Sequence, residues 1–156
     1  MTRDQSLEPV VGWRIWRVGE DGLLRAVAWG VQWQPQARFD AVCEDTPSPF
    51  WHHGVAHAPH PAPERGCECG VYAFKERADA ELLAREKVDR EPLVLGRASL
   101  WGRVIETERG YRAQYAYPYD LELLGGSAAL AHELRARYAV DVSLAPAVVA
   151  LHTGGG

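Results

Sequence analysis

From Gly12 onward the chain alternates bulky and charged residues with a period of two, Gly12-Trp13-Arg14-Ile15-Trp16-Arg17-Val18, the spacing of a strand with two unlike faces. Gly19-Glu20-Asp21-Gly22 then supplies turn chemistry, and Leu23 to Trp33 resumes with β-favouring residues, so a hairpin is predicted. Gln34-Pro35-Gln36 breaks the run. Ala37 to Cys43 gives a third short extended segment, with Phe39 and Val42 as its apolar positions.

Between residues 44 and 66 the pattern stops. Pro47, Pro49, Pro59, Pro61 and Pro63 are incompatible with a regular helix or a central strand, which leaves a long loop rich in proline and histidine. A loop of that length inside a compact domain calls for something other than backbone ladders to pin it. Val71 to Phe74 reads as a brief strand. Lys75 to Val88 reads as a helix, with Ala78, Leu82, Leu83 and Ala84 on its apolar side and Pro92 as its stop. Leu93 to Leu100 is extended, and Trp101 to Pro118 forms a second hairpin around Glu108-Arg109-Gly110, with Tyr111, Ala113, Tyr115 and Tyr117 sharing a face. Ser127 is placed to cap a helix over Ala128 to Tyr138, where Ala131, Leu134 and Tyr138 recur at helical spacing. Asp141 to Ala145 makes a last strand, and Pro146 to His152 is apolar enough to dock. Strand and helix do not alternate regularly, so the expected class is α+β: a mostly antiparallel sheet with two helices covering one side.

At 156 residues and 47% apolar content, one domain over 1–156 is expected, with a flexible start at 1–9 and a fraying tail at 153–156. No apolar leader opens the chain and no run approaches the roughly 20 residues of a membrane span, so a cytoplasmic protein without membrane contact is expected. The formal charge is -4, and the cations are spread along the whole chain; nucleic acid is not an expected partner. Nucleotide-binding glycine loops and the serine-hydrolase elbow do not occur.

Three cysteines, Cys43, Cys67 and Cys69, make an odd number, which disfavours a disulfide framework and leaves thiols or metal ligands. In extended backbone, residues i and i+2 project to one side, so the sulfurs of Cys67 and Cys69 can reach one ion. Cys43, His57, Cys67 and Cys69 would complete a tetrahedral zinc site that closes the loop, with His60 as the alternative imidazole. His57 is favoured because Ala58-Pro59 makes a stiff extended link after it. Against this stands the plain reading of Cys43 as a small core residue and of the histidines as solvated. Glu64 and Glu68 read as solvating acids. The tryptophans read mainly as core, apart from Trp51, which sits with Phe50 in the loop. Arg103, Arg112 and Tyr115 on the second hairpin form, with Trp51, a candidate surface for a protein or small-molecule partner.

Three stretches together resemble a group of small bacterial proteins with no assigned activity: Gly12 to Val18, His57-Ala58-Pro59 leading to Cys67-Glu68-Cys69-Gly70-Val71-Tyr72-Ala73, and Leu100-Trp101-Gly102-Arg103-Val104 leading to Gly110-Tyr111-Arg112-Ala113. The resemblance implies a shared domain whose Cys and His residues form a site. The expected function is a binding or interaction module with a structural zinc. The rivals are an enzyme using an open metal or a reactive thiolate in the same cluster, and a metal-free scaffold.

Overall fold

The computed structural model describes residues 2–3 by their backbone and residues 8–28, 30–43, 60–87 and 92–145 in full. The expectations for Trp51, for His57 and for the tail lie outside these residues. The described chain forms nine strands and two helices. In order these are β1 (Thr2–Arg3), β2 (Val10–Val18), β3 (Leu24–Ala26), β4 (Gln32–Trp33), β5 (Phe39–Asp40), β6 (Val71–Phe74), α1 (Arg77–Glu86), β7 (Leu93–Glu106), β8 (Gly110–Leu124), α2 (Ala128–Tyr138) and β9 (Asp141–Ala145). The class is α+β with a mostly antiparallel sheet, as expected.

β7 and β8 make the long hairpin at the centre. β2 runs antiparallel to the first half of β7, from Val10 opposite Leu100 to Arg17 opposite Leu93. On the far edge of β8, β6 pairs Val71 with Ala113 and Phe74 with Gly110. A single pair, Trp13 opposite Phe74, joins β6 back to β2, so β2, β7, β8 and β6 close a ring. That closure depends on a missing side chain. A Cβ at Gly12 would lie 2.7 Å from the Cβ of Ala73 and 3.2 Å from the Phe74 carbonyl oxygen. Ala73, Ala98, Ala113 and Ala116, all fully buried, are the small residues that such close strand approach requires.

The two helices lie on opposite faces of the sheet, which corrects the expectation that both cover one side. Ile15 clusters with Ala80 and Ala84 of α1, together with Leu93 and Leu95. Its neighbour Trp16 clusters instead with Leu134 and Tyr138 of α2. Successive strand residues point to opposite faces, so the assignment follows from β2 alone. On α1 the buried pair is Ala80 and Ala84, whereas Leu82 is 53% exposed. Of the apolar side expected at Ala78, Leu82, Leu83 and Ala84, Leu83 and Ala84 pack on the core, whereas Ala78 and Leu82 face out and Ala80 takes their place. In this rotation Arg77 reaches the sheet: it bonds Glu122 at 2.7 Å, and its guanidinium lies 5.3 Å from the Trp13 ring.

α2 starts where the sequence placed it, with Ser127 Oγ accepting from the Leu130 amide at 3.1 Å. It carries the chain across to β9, which pairs parallel with β8 from Asp120 opposite Asp141 to Leu124 opposite Ala145. Parallel pairing of consecutive strands needs such a crossover. The stretch expected as one strand from Leu23 to Trp33 is two, β3 and β4, paired with each other. Tyr138 ties that ribbon to α2: its hydroxyl donates to the Trp33 carbonyl at 2.6 Å and accepts from the Leu24 amide at 2.8 Å. Trp16 and Trp33 are core residues as expected, edge-on to each other at 5.4 Å.

Candidate metal centre

One edge of β8 explains why distant cysteines meet. β5 lies along it with Phe39 opposite Ala116 and Asp40 opposite Tyr115, and the Ala41 amide continues the ladder to the Gln114 carbonyl at 2.9 Å. β6 takes up the same edge at Ala113 and runs in the same sense. β5 and β6 thus behave as one strand interrupted by a long excursion, and Cys43 leaves the edge close to where Cys69 returns to it. A bridge between Val42 and Pro61 draws the two arms together and sets His60 beside Cys43.

The ligand atoms of Cys43, His60, Cys67 and Cys69 all lie within 4.8 Å of one another, and these four side chains can hold a metal ion. Cys43 and Cys67 place their sulfurs 3.6 Å apart, and Cys69 Sγ lies 3.5 Å from His60 Nε2. All three cysteines are free and partly buried. The structure therefore gathers the three sulfurs named from the sequence, and the imidazole it gathers with them is His60, the alternative ligand.

Two residues support this cluster that the sequence reading did not assign to it. Glu64, read as a solvating acid, accepts from His60 Nδ1 at 2.8 Å, which turns Nε2 toward the sulfurs. Its signal was the spacing, an acid four residues after a histidine. Arg112 lies on β8 opposite Tyr72, and its Nη1 donates to the carbonyls of Cys67, of Cys69 at 3.2 Å and of Glu64 at 3.4 Å. Its guanidinium thus braces the turn that carries the two cysteines. That turn is closed by the Cys67 amide donating to the Glu64 carbonyl at 3.0 Å. Gly70 completes it at φ +111°, where a Cβ would lie 2.9 Å from Pro63 Cβ and 3.2 Å from Arg112 Cβ.

The thiols do not share their protons equally. Burial, reinforced by the hydrogen bond with Cys67 and the neighbouring thiolates, pushes Cys43 up to about 12. Burial also opposes ionisation of Cys67, but the Cys69 amide and the surrounding thiols and His60 bond to its sulfur and leave it below the ordinary thiol value. Burial raises Cys69. A cation in the middle of the cluster would displace all three protons, because thiolate is the form that ligates.

The other candidates lie elsewhere. Tyr115 sits under the Arg38 guanidinium at 4.0 Å, with the Trp101 ring 6.1 Å away. The Arg103 amide donates to Gln114 Oε1 at 3.1 Å. Among the described residues no helix is long and apolar enough to cross a membrane. No protein-family model matches the chain, and no curated protein or solved structure does.

Proposed function

We propose that the chain is a single-domain binding or interaction module, and that a structural zinc held by Cys43, His60, Cys67 and Cys69 clamps the base of its proline- and histidine-rich excursion. The observation that carries this reading is the spacing of the ligand atoms. Zinc bonds of about 2.3 Å to sulfur and about 2.0 Å to nitrogen give tetrahedral edges of about 3.8 Å between sulfurs and about 3.5 Å from sulfur to nitrogen. Two of the six separations, 3.6 Å and 3.5 Å, agree with those edges, and all six lie within 4.8 Å. The carboxylate behind His60 is the outer partner that metal-bound histidines ordinarily have. Four protein ligands fill a tetrahedron and leave no position for water or substrate, which favours a structural role over an open catalytic one. A thiol-rich site of this kind belongs in a reducing compartment, in keeping with the cytoplasm. The partner would be a protein or a small molecule; of the surface named from the sequence, Arg103, Arg112 and Tyr115 are among the described residues of the long hairpin.

The test is elemental analysis of protein purified without a histidine tag, beside thermal unfolding with and without a strong chelator. About one zinc per chain is expected, lost in Cys67→Ser. Free zinc at about a thousand times its dissociation constant adds about 4 kcal/mol of stability. Protein that comes out metal-free, takes up no added zinc and is equally stable with chelator would overturn the reading.

A further inference from the structure

Within the cluster all four ligand atoms lie within 4.8 Å of one another, and the Cys67 sulfur bonds with both other thiols and with His60. Cys43 and Cys67, 24 residues apart, have their sulfurs 3.6 Å from each other, whereas the Cys69 sulfur is turned to His60 Nε2 at 3.5 Å. A disulfide needs about 2.05 Å between sulfurs, and the 3.6 Å approach of the two Sγ atoms leaves a short gap for side-chain rotation to close. Both backbones are held by the fold. Cys43 follows the β5 ladder and the Val42 to Pro61 bridge, and Cys67 sits in the turn closed on Glu64 and tied by Arg112. The rival link, Cys67 to Cys69, would close a strained small ring across a single intervening residue. All three cysteines are free and only partly buried, so the cluster is not sealed from a small oxidant.

We infer that Cys43 and Cys67 are a thiol-oxidation site, joined by hydrogen peroxide into a disulfide that expels the metal. The expulsion rests on the zinc reading; the link does not. In the first step one thiolate attacks a peroxide oxygen, the O–O bond breaks, hydroxide leaves and is protonated to water, and the sulfur becomes a sulfenic acid. The second thiolate then attacks that sulfur: the S–S bond forms, the S–O bond breaks, and the departing hydroxide takes a proton to give a second water. Two thiolates are oxidised, one peroxide is reduced, and two protons come from solvent. Zinc left with only Cys69 and His60 has lost half its ligands and departs. The same two arms of the excursion then stay joined by a covalent bond in place of a coordinated ion.

The experiment treats the tag-free protein with a slight excess of hydrogen peroxide, beside a chelator-stripped sample. Zinc release is read with a chromogenic chelator. The link is read by non-reduced peptide mapping after cleavage at Glu68, which separates Cys67 from Cys69. Expected are a Cys43–Cys67 link in both samples, Cys69 free for alkylation, release of about one zinc per chain from the metal-bound sample, and reversal by dithiothreitol. A Cys67–Cys69 link, links between chains, or unlinked sulfinic acids would overturn the assignment. A Cys43–Cys67 link formed with zinc retained would overturn the expulsion. The link forming in protein that binds no zinc at all would sink the metal reading and leave the thiol pair standing.

Discussion

His60 is fixed from behind by Glu64: a carboxylate oxygen lies 2.8 Å from Nδ1, so the imidazole presents Nε2 to the three sulfurs. The ring is 13% exposed and the carboxylate 47%, so the contact joins a sheltered ligand to solvent. Glu64 thereby sets both the tautomer and the direction of the ring.

Glu64→Ala should lower zinc affinity about 10- to 100-fold, the usual loss when the outer partner of a ligating histidine is removed. Glu64→Gln should fall between, because its amide oxygen still accepts from Nδ1 but carries no charge. Competition titration against a chelator of known affinity reads both. Wild-type affinity in both variants would mean that His60 does not ligate through Nε2.

Arg112 supports the same site from the other side, by bonding three carbonyls of the turn. Lysine keeps the charge but loses the planar fork, so Arg112→Lys tests geometry more than electrostatics. The expected result is weaker zinc binding in Arg112→Lys, with the far-ultraviolet circular dichroism unchanged. Affinity equal to that of wild type would show that the turn holds its shape without the guanidinium.

How much of this was legible in the sequence depended on the range of the interaction. The β2–β3 turn and the Ser127 cap are local chemistry, and both appeared where their residues indicated. The three cysteines were legible because sulfur has few other uses at that spacing. The ring through Gly12 and Ala73 was not, since it depends on two small residues meeting from distant segments. The rotation of α1 was hidden for a related reason: Ala78 and Leu82 read as apolar beside Ala84, and contacts made only in the fold, such as Arg77 with Glu122 of β8, go with the face that packs. Arg112 became a supporting residue only through its register opposite Tyr72.

Tyr138→Phe removes one hydroxyl and leaves two buried backbone groups, the Leu24 amide and the Trp33 carbonyl, without that partner. Leaving a buried group unsatisfied costs about 1–3 kcal/mol, and denaturant unfolding should register a loss in that range. The pH dependence provides a second reading. Burial is the main cause that raises the Tyr138 hydroxyl above its ordinary value. Above about pH 10 the unfolded chain gives up that proton while the native chain keeps it. The unfolded state then binds fewer protons, so stability falls as pH rises from the unfolded value toward the native one. The difference in stability between wild type and Tyr138→Phe should therefore shrink above pH 10, and a constant difference would show that the hydroxyl ionises alike in both states.

Gly70→Ala joins fold and site in one measurement. At φ +111° an L side chain is strained whatever space surrounds it, and here the added methyl would also press on Pro63 and Arg112. Strain of this kind costs about 1–3 kcal/mol, and it would be felt in the turn that carries Cys67 and Cys69. Both the denaturation midpoint and the zinc affinity should fall. Gly66→Ala is the control on the same turn, since a Cβ there meets nothing within 4 Å. Stability lost equally in the two variants would mean that any added methyl disturbs the segment. Stability lost in Gly70→Ala with zinc affinity unchanged would detach the turn from the metal centre.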